Sequence, residues 1–139
     1  MSIPFGVRIP FVDLLGFTLE KFEGGQSELR YAPQADHHNS FEVTHGGAVM
    51  TLLDVVMATA ARSVEVDMGV VTIEMKTSFM RPAKVPPGQG LKATGQLLHR
   101  TRSMAFTEGK VFDVDGQLCA HATGTFKYVA RREAGPSTD

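Results

Sequence analysis

The sequence predicts an α+β domain in which a curved antiparallel sheet of about six strands surrounds one long central helix. Two observations support this prediction. From about residue 44 to residue 63, apolar side chains occupy every face of a helix, a distribution that is typical of a buried helix. Two strand-like stretches precede this helix and four follow it, so strands do not alternate with helices as they do in a parallel α/β sheet.

Strand-like stretches lie on both sides of the helix. Gly24-Gly25 indicates a hairpin between the first two stretches, because glycine readily adopts the positive φ of a tight turn. Asp115-Gly116 predicts a second hairpin between the last two stretches in the same way. The predicted strands cover residues 17–23, 26–32, 69–80, 90–100, 103–114 and 117–129.

The stretch from residue 69 to residue 80 has the clearest strand pattern. Its side chains alternate with a period of two residues, which predicts a strand with two chemically different faces. The predicted faces carry Val71, Ile73, Met75, Thr77 and Phe79 on one side and Thr72, Glu74, Lys76 and Ser78 on the other.

The remaining segments are connections and ends. Residues 9–15 are expected to form one or two helical turns, and residues 33–43 and the Pro-Gly-rich residues 81–90 are expected to form loops. Residues 131–139 are expected to form a frayed tail. A single domain is therefore expected over residues 1–130.

Composition limits the partners and the location of the protein. The 139 residues carry a formal net charge of −1, and no basic excess suggests nucleic acid. No run approaches the roughly 20 apolar residues that a membrane span requires, and the N-terminus lacks the continuous apolar core of a signal peptide. The single cysteine, Cys119, lies in an apolar stretch and fits a reducing compartment, so the cytoplasm is the expected location.

One carboxylate interrupts the apolar helix, which is expected to start at Thr44 or His45 because threonine before an apolar run is a good N-cap. Removing the Asp54 carboxylate from water costs several kcal/mol unless it is paired or hydrogen-bonded. Asp54 is therefore either an exposed or subunit-facing helix residue, or a general base or nucleophile whose pKa is tuned by burial.

Gly46 and Gly47 occupy the first helical turn, where backbone N–H groups lack intrahelical partners and the helix dipole favours negative charge. This turn is either an oxyanion site or a tight entry from the preceding loop. Gly46 and Asp54 are eight residues apart. This separation corresponds to about 12 Å of helix, which is too far for both residues to act on one carbonyl. If both are catalytic, a second chain is required.

Asn39, His45-Gly46-Gly47 and Asp54, at this spacing and followed by "GVVTIEMKTSFMRPAK", resemble the hotdog-fold thioesterases. The resemblance is specifically to the branch related to phenylacetic-acid-pathway and 4-hydroxybenzoyl-CoA thioesterases, and it extends from about residue 12 to residue 129. The resemblance implies a hotdog fold, in which a sheet wraps the central helix. It also implies dimers with two active sites at their interface, where the acidic residue acts across that interface.

The resemblance also implies a role for each motif residue. The Gly46 N–H polarises the thioester carbonyl with help from the Asn39 amide, and Asp54 of the neighbouring subunit activates water or attacks directly. His45 helps to place the thioester or the leaving thiol, and the Thr72 hydroxyl orients the water.

Several further residues are candidates for substrate binding. Arginine binds phosphate in a bidentate manner, so basic side chains near the site are candidates for the phosphates of coenzyme A, although they could equally form a solvated rim. The candidate binding residues are Gly47, Arg81, Lys84, Arg100 and Arg102.

The sequence therefore predicts an acyl-CoA thioesterase that works as a dimer or a dimer of dimers. Coenzyme A is part of the substrate, and no metal or redox cofactor is expected, since Asp36, His37 and His38 are adjacent on a loop and seldom converge on one ion. One alternative is a non-catalytic acyl-CoA-binding or regulatory protein. Another is a hydratase, although Thr59 stands where that class is expected to carry histidine.

Overall fold

A computed structural model describes residues 2–131 of the chain. It contains one six-stranded antiparallel sheet and one long helix, so the predicted α+β architecture is confirmed. A short 3₁₀ turn at Ala35–His37 lies within the loop predicted for residues 33–43. Residues 132–139, which belong to the predicted tail, lie outside the described residues. The elements are α1 (Pro10–Leu15), β1 (Thr18–Glu23), β2 (Gln26–Tyr31), α2 (Gly46–Arg62), β3 (Met68–Phe79), β4 (Leu91–Arg100), β5 (Met104–Phe112) and β6 (Leu118–Ala130).

The strands follow the order β1-β2-β4-β5-β6-β3, and all neighbouring strands are antiparallel. Both predicted hairpins are present, with positive φ at Gly24, Gly25 and Gly116. β3 lies at one end of the sheet and pairs with β6 along its full length of 12 residues. Its other edge pairs with no strand in the described part of the chain. The sheet therefore ends in a long, open strand.

The long helix α2 packs on the inner face of the sheet because neighbouring strands carry glycine where the helix crosses them. A Cβ at Gly95 on β4 would collide with the carbonyl oxygen of Val56. A Cβ at Gly109 on β5 or Gly124 on β6 would lie 3.0 Å from the Met57 side chain. The missing side chains let the helix backbone approach the sheet closely, and Val56 and Met57 are fully buried.

One strip of α2 is not buried within the chain. Met50 is 38% exposed, and Asp54 and Ala58, which follow at intervals of four residues on the same strip, are only half-buried. The sheet covers the faces that carry Leu52 and Leu53. The prediction that the helix is buried on every face is therefore wrong for a single chain, because no other described element covers this strip.

A β-bulge in β3 changes which side chains share a face. The ladder with β6 shifts register between Thr72 and Glu74, so that Ile73 is an extra residue. Strict alternation predicts Thr72 and Met75 on opposite faces, and this prediction is wrong. Both lie on the inner face, where Thr72 bonds to Asp54 of α2 and Met75 packs against the core.

Candidate active site

The N-terminus of α2 presents one backbone N–H group that has no partner among the described residues. His45 is the N-cap, and its ring Nδ1 accepts a hydrogen bond of 2.8 Å from the Gly47 N–H. The N–H groups of Ala48 and Val49 donate to the His45 carbonyl oxygen. Within residues 2–131, the Gly46 N–H bonds to no other group. It is therefore the free donor of the first turn, at the positive end of the helix dipole.

The loop before α2 explains why His45, rather than Thr44, caps the helix. The Thr44 N–H donates to the Ala83 carbonyl oxygen at 3.2 Å, which draws Thr44 inward and buries it. Its buried hydroxyl has no hydrogen-bond partner among the described residues. The His45 N–H donates to the His37 carbonyl oxygen at 2.8 Å. These backbone bonds fix where the helix begins.

Asn39 closes the loop with one half of its side-chain amide. Its Oδ1 accepts hydrogen bonds from the Phe41 N–H at 2.8 Å and the Val43 N–H at 3.3 Å. The same tight loop holds Glu42 at a φ of 61°. The amide NH₂ of Asn39 makes no hydrogen bond within the described part of the chain, so it remains available as a donor. The Oδ1 atom of Asn39 therefore closes the loop, while its NH₂ group is free to donate to a ligand.

Asn39 and Gly46 line one cavity of about 470 Å³, called here the Gly46 cavity. Its walls are mostly apolar and include Phe79 from the end of β3. Phe41, which is 83% exposed, also contributes to its wall. A volume of this size is within the usual range for small-molecule sites, roughly 300–1,000 Å³. The cavity thus combines two hydrogen-bond donors with an apolar surface.

Asp54 is held by Thr72 across the gap between α2 and β3. The Thr72 hydroxyl donates a hydrogen bond of 2.7 Å to Asp54 Oδ1. Burial raises the pKa of Asp54 above its usual value, and the Thr72 hydrogen bond favours the ionised form and opposes part of that rise. A carboxylate with a raised pKa is a better proton acceptor, so this pair has the chemistry of a general base.

Asp54 and Thr72 line a second cavity of about 270 Å³, called here the Asp54 cavity. It also contains Arg62 from the end of α2 and Val70 from β3. Neither Gly46 nor Asn39 lines it. Within one chain, the predicted oxyanion donors and the predicted base therefore face separate cavities.

His45 and Gly47 line a third cavity of about 230 Å³ with His37 and His38. Because His45 Nδ1 accepts from Gly47, the proton of a neutral His45 imidazole lies on Nε2. The predicted site residues thus fall into three groups within one chain. Asn39 is with Gly46, Asp54 is with Thr72, and His45 is with Gly47.

The predicted phosphate-binding residues occupy different settings. Arg81 is exposed and lines the Gly46 cavity. Lys84 and Arg102 are exposed and line none of the three cavities. Arg100 forms an ion pair of 3.1 Å with Glu65, and its guanidinium lies 4.4 Å from the centre of the Tyr128 ring. These contacts give Arg100 a structural role within the chain and leave Arg81 best placed for a ligand.

Sequence reasoning missed three residues of these cavities. Phe79 packs beside Gly46, where a Cβ on Gly46 would lie 3.6 Å from its ring. Cys119 lines the Gly46 cavity, but burial raises the pKa of its thiol to about 11, so it is protonated and a poor nucleophile at neutral pH. Arg62 lines the Asp54 cavity, and a basic residue at the end of an apolar helix was the available signal.

Among residues 2–131, no three His, Cys, Asp or Glu side chains are grouped so that they could hold a metal ion. None of the helices in that range has the length and apolar character needed to cross a bilayer.

Sequence comparisons identify relatives of this chain. The sequence profile described as the Thioesterase superfamily matches residues 41–120. Human acyl-coenzyme A thioesterase 13 is 30% identical over 98 residues, which are 70% of this chain and 69% of that protein. A Caenorhabditis elegans relative is 34% identical over 97 residues, which are 69% of this chain but only 56% of the relative.

Structural comparisons agree with the sequence comparisons. A conserved protein from Pseudomonas aeruginosa superposes with a TM-score of 0.81 at 28% identity, covering 89% of this chain and 97% of that chain. The Escherichia coli PaaI protein from the phenylacetic acid degradation operon gives a TM-score of 0.81 at 20% identity, with coverage of 88% and 86%. The predicted hotdog fold is confirmed.

Proposed function

Since the chain belongs to the thioesterase superfamily, we propose that it hydrolyses acyl-CoA thioesters to the free acid and coenzyme A. The human relative named acyl-coenzyme A thioesterase 13 supports coenzyme A as the carrier. The coenzyme is part of the substrate, and the proposed chemistry uses only a hydrogen-bond donor, a carboxylate and water. The shape and polarity of the cavity walls determine which acyl group the protein accepts.

The Gly46 cavity is the proposed place of the thioester carbonyl. Its free backbone N–H and the free NH₂ of Asn39 would both donate to the carbonyl oxygen as negative charge develops there. Donors that are fixed before the reaction need no reorganisation, and one such donor typically contributes about 10²–10³ in turnover. Arg81 at the same cavity is suited to a phosphate of coenzyme A.

Asp54 is the proposed base or nucleophile. As a base, it would take a proton from water while the water oxygen bonds to the carbonyl carbon, and the C–S bond then breaks to release the thiolate. As a nucleophile, its carboxylate oxygen would bond to the carbonyl carbon and displace the coenzyme A thiolate, and water would then hydrolyse the mixed anhydride to the free acid and the Asp54 carboxylate. In both cases the ionised carboxylate is the reactive form, and the Thr72 hydroxyl orients it.

The separation of the two cavities along α2 is the observation that carries this proposal. Gly46 and Asp54 are eight residues apart. That distance is about 12 Å of helix, so one thioester cannot contact both residues of one chain. The proposal therefore places Asp54 of one chain at the Gly46 of another, in a dimer or a dimer of dimers.

The surface for this second chain is the open edge of β3 and the uncovered strip of α2. Long, exposed strand edges tend to pair with another chain. Val71 and Ile73 on β3 are 46% and 52% exposed, and Met50 on the strip is 38% exposed. Apolar side chains of this size favour burial, and Asp54 lies on the same strip.

Thiol release from a panel of acyl-CoA and aryl-CoA thioesters tests the proposed function. The wild type is expected to release free thiol, and Asp54→Asn is expected to turn over at least about a hundredfold more slowly, the low end of what a general base contributes. Asp54→Asn keeps the size of the side chain, so the variant should still assemble and bind acyl-CoA.

Two results would contradict the proposal. Tight acyl-CoA binding without thiol release would favour the non-catalytic binding protein. Full activity in Asp54→Asn would remove Asp54 from the chemistry.

A further inference from the structure

Arg62 is a buried cation at the C-terminal end of α2. Only 7% of the residue is exposed. Its Nη2 donates a hydrogen bond of 3.3 Å to the Phe5 carbonyl oxygen, and its guanidinium lies 5.6 Å from the centre of the Phe22 ring. The buried Nε–H has no hydrogen-bond partner among the described residues. A guanidinium has five N–H donors, so most of its hydrogen-bonding capacity is unused.

No carboxylate compensates this charge within residues 2–131, where Arg62 forms no ion pair. Burial lowers the pKa of Arg62, and the positive charge of Arg131 lowers it further. A buried ion without a partner costs several kcal/mol, and buried charges in proteins are normally paired. Burial of the Arg62 charge therefore destabilises the fold, and an anion bound in the adjacent space would offset that loss of stability.

The space beside Arg62 is the Asp54 cavity. Arg62 and Asp54 both line it, and its walls between them are apolar, with Val55, Ala58 and Val70. The two residues are eight positions apart on α2. Their backbones are thus separated by about 12 Å of helix. One cavity is therefore lined by both a carboxylate and a guanidinium that forms no ion pair within the described residues.

We propose that the Asp54 cavity holds the acyl group of the substrate and that Arg62 binds an anionic oxygen at its distal end, so that ω-carboxyacyl thioesters are preferred. This inference rests on the proposed function, because it places the thioester at Asp54. The carboxylate would accept N–H donors of Arg62, and the methylene chain would lie against the apolar walls. A distal hydroxyl would accept one of the same donors without neutralising the charge.

A purely structural role for Arg62 makes a different prediction, because its bond to Phe5 also anchors the N-terminal segment. Arg131 provides a matched control for that role. It donates to the Gly6 carbonyl oxygen at 3.0 Å and to the Val66 carbonyl oxygen at 2.9 Å, and it does not line the Asp54 cavity. Loss of anchoring should be common to Arg62→Met and Arg131→Met, whereas loss of an anion site should be confined to Arg62→Met.

The experiment compares suberoyl-CoA with octanoyl-CoA, which differ only in the terminal carboxylate, and includes 8-hydroxyoctanoyl-CoA as a third arm. The wild type is expected to show a higher kcat/KM for suberoyl-CoA, with the hydroxy compound between the two. Arg62→Met should lower kcat/KM for suberoyl-CoA by at least about tenfold, as expected for lost hydrogen bonds to a charged group, and should leave octanoyl-CoA within a fewfold. Arg131→Met should retain the wild-type preference.

The proposal is overturned if the wild type hydrolyses octanoyl-CoA as well as suberoyl-CoA, or if Arg62→Met slows both by the same factor. The wild-type comparison decides the matter even if Arg62→Met does not fold. Calorimetric binding of free octanoate and 1-octanol, which differ in the carboxylate, separates this inference from the proposed function. Octanoate binding that is lost in Arg62→Met supports the anion site even when no thioester is hydrolysed, and equal binding of the acid and the alcohol contradicts it.

Discussion

The Gly46 cavity and the Asp54 cavity lie along the same helix but are built from different chemistry. At the start of α2, the functional group is the Gly46 backbone N–H. It is free within the described residues because the His45 cap accepts a hydrogen bond from Gly47 and not from Gly46. In the middle of the helix, the functional group is the Asp54 carboxylate. It accepts a hydrogen bond from Thr72, and burial raises its pKa. A helix N-terminus supplies positive potential and a helix interior can supply only side chains, so one helix offers the two halves of a hydrolytic site at different places.

In the proposed mechanism, the fold of one chain is not sufficient for the chemistry, because its two cavities hold different functional groups. Each half is complete as a local structure, but neither contains both the donor and the base. The exposed strip of α2 and the open edge of β3 lie where a second chain could join the halves.

The largest effect is expected for Gly46→Pro, which deletes the free N–H. Proline is well tolerated at the first helical position. His45 has φ of −60° and ψ of 137°, a conformation that suits a residue before proline. Turnover should fall by about 10²–10³, as for other lost oxyanion donors, while the melting temperature changes little. Gly46→Ala keeps the N–H and is the matched control, since its Cβ would make only an ordinary contact with Phe79.

A smaller loss is expected for Asn39→Ala, which removes the NH₂ donor but leaves Gly46 to supply the other donor. The loss in kcat should be smaller than in Asp54→Ala. Asn39→Ala also removes the oxygen that accepts from Phe41 and Val43, so its melting temperature should fall. Asn39→Asp keeps that oxygen and the loop but places a negative charge beside the developing oxyanion, so its melting temperature should fall less and its kcat should fall further than those of Asn39→Ala. Kinetics in which Asn39→Ala is less active than Asp54→Ala would reverse the assigned roles.

Stability as a function of pH tests the Asp54 half without substrate. The folded-state pKa of Asp54 is raised, so the native chain binds more protons than the unfolded chain between the two pKa values. Stability contributed by this group is therefore lost as pH rises through that window. Asp54→Asn should melt at a higher temperature than the wild type at neutral pH, and the difference should shrink as the pH falls through that window and reach its minimum at about pH 4, the usual aspartate pKa. A difference that grows towards acid pH would contradict a raised pKa.

The smallest effect at neutral pH is expected for Thr72→Val. The Thr72 hydroxyl favours the ionised form of Asp54, so removing it should raise the pKa of Asp54 further. The acid limb of kcat/KM should then move to higher pH. Thr72→Ser keeps the hydroxyl and should keep the wild-type profile. An unchanged acid limb in Thr72→Val would mean that the hydrogen bond does not tune the base.

The sequence was sufficient for the elements that depend on local signals. The Gly24-Gly25 pair and the Asp115-Gly116 turn indicated the hairpins, and the spacing of Gly46 and Asp54 predicted that they could not share one carbonyl. The bulge at Ile73 could not be predicted, because one extra residue shifts the register with β6 while the alternation in the sequence continues.

Other features were decided by contacts between distant parts of the chain. Both Thr44 and His45 are capable of a cap, and the bond from the Thr44 N–H to Ala83 selects His45. Burial of Arg62 depends on the N-terminal segment, whose Phe5 carbonyl oxygen lies 57 residues away in sequence. Local sequence patterns do not predict such long-range contacts.

Pairing two inactive variants tests most directly whether the site is shared between chains. Gly46→Pro retains a native Asp54, and Asp54→Asn retains a native Gly46. If the chains are co-expressed with different tags and assemble randomly, each mixed dimer contains one site with both native residues, and activity should recover to about a quarter of the wild-type value per chain. Purified mixed dimers with no more activity than the two separate variants would place both residues of each site within one chain and would contradict the shared site.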